Sequence, residues 1–172
     1  SASKTKSSPQ REALQIKAVE AVLQPETRLY AQQYLSAIDE SVLSQDLLVR
    51  KHVAVAEMRI MNGQPQLALD AVPIKLIEDS PKYKPHVLAV RAKALQAAGK
   101  IYESIETRIA LNPLLSEPEQ LDGNNQLIWR SLLNSNTNEI YAQVNNNKNS
   151  DVAAWLNLAA IQKQVYENLP AL

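Results

Sequence analysis

The stretch AEMRIMNGQPQLALD, from Ala56 to Asp70, returns thirty-six residues later as AKALQAAGKIYESIE, from Ala92 to Glu106. Each stretch centres on a lone glycine, Gly63 or Gly99, with an alanine seven positions before it. A small residue, an apolar residue and an acid follow at five, six and seven positions: Ala68, Leu69 and Asp70 in the first, Ser104, Ile105 and Glu106 in the second. Glycine suits a helix C-terminus that must turn through a left-handed backbone, which other residues enter only at a steric cost. Small side chains on either side of that turn let two antiparallel helices cross closely.

A period near ~34 residues with this layout is the mark of tetratricopeptide-type units, helical hairpins that stack and bind far more often than they catalyse. The expected fold is therefore all-α, a stack of tetratricopeptide-like hairpins forming an α-solenoid or superhelix. Composition agrees, because alanine, leucine, glutamine and glutamate fill the long segments and favour helix. Only three glycines occur in 172 residues, too few for a protein rich in tight β-turns. With no phenylalanine, the core must be aliphatic, with Trp129, Trp155 and some tyrosines as its large members.

Residues 1–10, SASKTKSSPQ, have nothing to bury and read as a disordered leader or tether, with one helical domain over 11–172. Ala13, Leu14, Ile16, Val19, Val22 and Leu23 recur at helical spacing until Pro25. A second helix is expected from Glu26 to Asp39, burying Leu29, Tyr30, Tyr34, Leu35 and Ile38. The first repeat hairpin should run from Val42 to Asn62, with a break near Ser44, and restart at Pro65. Pro73 should kink or restart the chain, since it lacks an amide donor. The second hairpin spans Pro85–Ala98 and Lys100–Leu111. SEPEQLDGNN, 116–125, reads as a polar loop. Thr137 is placed as a helix cap, and Asp151 opens a last helix that resembles the leading half of a further unit.

Charge is balanced, 18 basic against 18 acidic residues, which argues against a nucleic-acid or anionic-lipid surface. Without cysteine there is no disulfide, thiolate metal site or cysteine nucleophile. The two histidines, His52 and His86, lack the spacing of a zinc helix, and neither a phosphate loop nor a nucleophile elbow is present. No catalytic residue, metal or cofactor is expected. If the hairpins stack, their leading helices line the recognition surface. Arg50 and His86 share one offset before their glycines, and Glu57 and Lys93 share another, so these four are the candidate partner-binding residues. Their mixed signs do not suit the seizing of an acidic peptide tail, which would call for cations without acids among them.

Pro113-Leu114-Leu115, Ile128-Trp129 with Leu132 and Leu133, and Trp155-Leu156-Asn157-Leu158 together resemble the N-terminal helical domain of the LpoA family of outer-membrane lipoproteins, with the Gly63 and Gly99 hairpins correctly placed upstream. The resemblance runs from about Arg11 to Leu169. It implies a tetratricopeptide-like domain in the periplasm, attached to the inner face of the outer membrane through a lipidated cysteine. A larger α/β domain would follow. The implied partner is a class A penicillin-binding protein, a peptidoglycan synthase contacted mainly through that second domain, with peptidoglycan as a further contact. The anchoring cysteine and the α/β domain have no counterpart here, which is what a fragment of a longer protein would show. The expected role is thus a regulator's scaffold and spacer. The alternatives are a peptide-binding adaptor unrelated to the cell wall, or an accessory module for glycan binding or hydrolysis.

Overall fold

The computed structural model describes residues 8–167, and all regular structure among them is helical. The helices are α1 (Pro9–Ala21), α2 (Arg28–Ser36), α3 (Gln45–Met61), α4 (Pro65–Ala71), α5 (Lys75–Asp79), α6 (Lys84–Ala97), α7 (Ile101–Leu111), α8 (Pro118–Asn134), α9 (Thr137–Asn146) and α10 (Ser150–Glu167). Short 3-10 turns precede α2, α3 and α6 and follow α7. They group into two compact units, one ending at Lys100 and one beginning at Ile101.

The glycine turns behave as their chemistry requires. Gly63 and Gly99 sit at φ +69° and +76°, the left-handed region. Behind α3, the amide of Gln64 donates to the Arg59 carbonyl at 2.8 Å and that of Gly63 to Ile60 at 3.0 Å. Behind α6, Lys100 donates to Leu95 at 2.9 Å and Gly99 to Gln96 at 3.0 Å. Both are Schellman closures, which satisfy the last carbonyls of a helix. Pro65 occupies the first turn of α4, and Pro73 ends that helix so that the chain restarts as α5.

In the first unit, α3 packs on α4, α1 on α2, and the leading helices α1, α3 and α6 lie side by side. Two buried clusters hold it. Ile16 and Val19 of α1 meet Ala31 and Leu35 of α2 and Ala54 and Met58 of α3. Val49 and Ala56 of α3 meet Ala68 and Leu69 of α4 and Val87, Val90 and Leu95 of α6. Hairpin α3–α4, with α6 packed on both of its helices, corresponds to the first expected repeat and the leading helix of the second. In the second unit, α7 packs on α8, and α10 packs on α7, α8 and α9 around Ile105, Ile109, Ile128, Leu132, Ile140 and Leu156. Trp129 and Trp155 flank this core at a ring separation of 6.2 Å, half-buried, while the fully buried hydrophobic side chains are aliphatic.

Several expectations are corrected. Helix α1 begins at Pro9, two residues earlier than supposed, because Ser8 caps it by accepting from the Arg11 amide; the rest of the expected leader lies outside the described residues. In and just after α2, Leu35 and Ile38 are buried as expected, whereas Leu29, Tyr30 and Tyr34 are exposed and Ala31 is buried in their place. The small Ala31 lets α2 approach α1 and α3, which a tyrosine stripe would hold apart. The break expected near Ser44 is present: Leu43 and Ser44 are extended after the 3-10 turn Glu40–Val42, and Ser44 caps α3 by accepting from Leu47, so the helix proper starts at Gln45. The expected loop at 116–125 is mostly the first half of α8, with Pro118 in its first turn and Gly123 inside it. Asn136 caps α9 in place of Thr137, accepting from the Asn138 amide. Asn149 precedes α10 and accepts from the amides of Asp151 and Val152.

Candidate functional site

On the face of the first unit where α1, α3 and α6 lie side by side there is a cleft of about 480 Å³. Leu23, Val53 and Ala54 form its apolar part, and Glu20, Arg50, Tyr83 and His86 its polar part. Each comes from a different local device. Glu20 and Leu23 sit at the end of α1, Arg50 one turn into α3, Tyr83 in the 3-10 turn Pro81–Tyr83, and His86 in the first turn of α6.

Arg50 grips Glu20 with two parallel bonds, Nε to Oε1 at 2.9 Å and Nη2 to Oε2 at 2.6 Å. Hydrogen bonding to Glu20 raises the guanidinium pKa above its ordinary value against the opposing effect of burial, with Tyr83 adding to the rise. The Tyr83 and His86 rings stand 5.6 Å apart at 60°. Lys82 Nζ lies 5.1 Å from the centre of the Tyr83 ring, a cation–π contact. Beneath this corner, Asp46 in the first turn of α3 accepts from Ser80 Oγ at 2.6 Å and from Lys82 Nζ, tying the turn to α3.

The Lys82 and Ser80 hydrogen bonds hold the Asp46 carboxyl below its ordinary value of 3.8. A depressed carboxylate contributes stability above its unfolded pKa and loses it as pH falls through the folded one. We therefore expect Asp46→Asn to loosen the Pro81–Tyr83 turn at neutral pH, read as faster amide exchange at Tyr83. The gap between variant and parent should narrow as the pH falls from 3.8 through the lowered pKa of Asp46. A gap that persists undiminished through that acid range would contradict the carboxylate's role.

The four sequence-predicted residues divide into two pairs. Arg50 and His86, at equivalent repeat positions, both line the cleft. Glu57 and Lys93, also equivalent, form an ion pair at 2.7 Å between α3 and α6 and are not among the cleft residues. Sequence reasoning missed Glu20, Leu23 and Tyr83, because they lie outside the repeat whose offsets guided the choice. It also missed two side chains that complete the end of α4: His52 Nδ1 donates to the Ala71 carbonyl at 2.9 Å and Arg91 Nη1 to that of Val72 at 2.6 Å. Burial pushes the Arg91 pKa down. The signal was Pro73: by ending α4 it leaves the last carbonyls of that helix without amides from a following turn, so side chains satisfy them.

The second unit carries a buried polar group. Arg108 of α7 is buried and donates to Asn124 Oδ1 at 3.3 Å; Asn124 Nδ2 donates to the Arg108 carbonyl and to Asn112 Oδ1, both at 2.7 Å. Burial pushes the guanidinium pKa down. These bonds tie the end of α7 to α8. Among the described residues no group of three histidines, cysteines or acids is placed to hold a metal ion, and no helix is long and apolar enough to cross a membrane.

Neither the curated proteins nor the solved structures yield a match to this sequence. A family model does: the one described as "LppC putative lipoprotein" matches residues 1–172. With the whole length matched, and with a lipoprotein family rather than a catalytic one, the chain belongs to the LppC family.

Proposed function

We propose that this chain is a non-catalytic scaffold and interaction module of an envelope lipoprotein that activates a class A penicillin-binding protein in peptidoglycan synthesis, working from the inner face of the outer membrane. Membership in a lipoprotein family supports an envelope role. The observation that carries the scaffold reading is the layer of leading helices, cross-tied by Glu20–Arg50 between α1 and α3 and by Glu57–Lys93 between α3 and α6.

Such a layer fixes distance and orientation. Helices packed ~9 Å apart put α1 and α6 roughly 18 Å from one another with little play. A flexible chain of ~90 residues would spread its ends over roughly 50 Å. A protein that must meet a synthase across the periplasm gains effective concentration from the stiffer element. Exchanging the segment for a flexible linker of matching span in the full-length lipoprotein is expected to reduce synthase activation in cells severalfold. Activation at the original level would overturn the spacer reading.

A further inference from the structure

We propose that the cleft between α1, α3 and α6 seats an extended peptide segment of a protein partner, with a bulky aliphatic or aromatic side chain on Leu23, Val53 and Ala54 and an adjacent carboxylate on Arg50 and His86. This deepens the interaction role given above by naming the chemistry of what docks there.

The hydrogen-bond inventory of the cleft is one-sided. Both oxygens of Glu20 are engaged by Arg50. Of the five N–H donors of a guanidinium, those two bonds use two and the Tyr83 hydroxyl engages a third, so Arg50 keeps two, and the His86 imidazole adds at least one more. The His86 imidazole is exposed and has a ring contact with Tyr83 but no hydrogen bond among the described residues. Surplus donors beside an apolar surface call for an occupant that brings acceptors and a hydrophobic side chain together. A carboxylate is the acceptor that matches a guanidinium edge best. A glycan fits poorly, since its hydroxyl donors would find the one carboxylate of the cleft already occupied. The acid that mixed the signs in the sequence, Glu57, is held by Lys93. The size of the cleft lies within the few hundred Å³ typical of ligand sites.

The test is a titration of the isotopically labelled chain, followed by amide and imidazole resonances, with the capped peptide Gly-Ser-Leu-Glu-Leu-Ser-Gly. Its Leu-Gln-Leu and Ala-Glu-Ala counterparts serve as comparisons. Saturable shifts confined to residues near 20–23, 50–54 and 83–86 are expected, weakened roughly tenfold or more by either replacement. Glu20→Gln should tighten the acidic peptide severalfold by releasing Arg50 donors, the opposite of what a purely structural ion pair predicts. His86→Gln, at an exposed position, should weaken it without disturbing the fold. Equal affinity for the glutamine peptide, shifts elsewhere, or no saturation at millimolar peptide would overturn the proposal. Such a result with the linker exchange still impairing activation would remove this inference alone; peptide binding alongside unimpaired activation would remove the spacer reading alone.

Discussion

Replacing Ile128 with alanine is expected to lower the free energy of unfolding by about 3 to 4 kcal/mol, the middle of the range for large-to-small core changes. Ile128 of α8 has no exposed surface and belongs to the one hydrophobic cluster among the described residues of the second unit, with Ile105, Ile109, Leu132, Ile140 and Leu156 as neighbours. Three carbons at ~0.8 kcal/mol each give about 2.4 kcal/mol of lost transfer energy, and the rest comes from a void that surrounding helices fill only in part. Those neighbours come from α7, α8, α9 and α10, so collapse onto the void would require several helices to shift together. Urea unfolding followed by circular dichroism measures the change. A loss under about 1 kcal/mol would mean that the cluster is far looser than its burial indicates.

The second large effect is expected from adding atoms. Ala56 of α3 and Ala68 of α4 are both fully buried in one cluster, at the positions where the repeat places small residues beside the glycine turn. Leucine at 56 differs little from alanine in intrinsic helix preference, so the backbone itself should not object. The three extra carbons, however, have no space unless α3 and α4 separate or side chains leave their rotamers, at a cost of about 1 to 3 kcal/mol or more. Leu67→Ala on the same hairpin is the control, because Leu67 is 48% exposed and its loss should stay within about 0.5 kcal/mol. Thermal or urea melts of the two variants compare them directly. Ala56→Leu with unchanged stability would remove the close crossing as the reason for the small residues.

The parts of the fold that were readable beforehand are those governed by short-range sterics. Gly63, Gly99, Pro65 and Pro73 each constrain one or two dihedral angles or one hydrogen bond, and each stands where that constraint places it. The pairing of equivalent positions was readable for the same reason: once the repeat stacks, residues at one offset become neighbours, as Glu57 and Lys93 show. The cleft was half legible. Arg50 and His86 follow from the offset, whereas Glu20 and Tyr83 arrive from a helix and a turn that carry no copy of the motif.

Where the reading failed, long-range contacts outweighed local preference. Asp122-Gly123-Asn124 has turn chemistry, yet Asn124 bonds Arg108 and Asn112 from within α8, and those bonds offset the roughly 1 kcal/mol that glycine costs inside a helix. Around α2, Leu35 and Ile38 were readable as buried, but Leu29, Tyr30 and Tyr34 do not join them; the small Ala31 does, and it lets three helices close on one another.

The amino-acid sequence alone thus determined that this protein is helical, where its repeat hairpin turns, and which positions face each other between stacked repeats, because these follow from the local reach of backbone sterics and from periodicity. Tertiary structure alone decided that Ala31 and not the tyrosines of α2 is buried, that α8 extends through its polar start, and that Glu20 and Tyr83 join Arg50 and His86 around one cleft. Those outcomes depend on how closely helices distant in the chain can approach, a quantity that no single segment encodes.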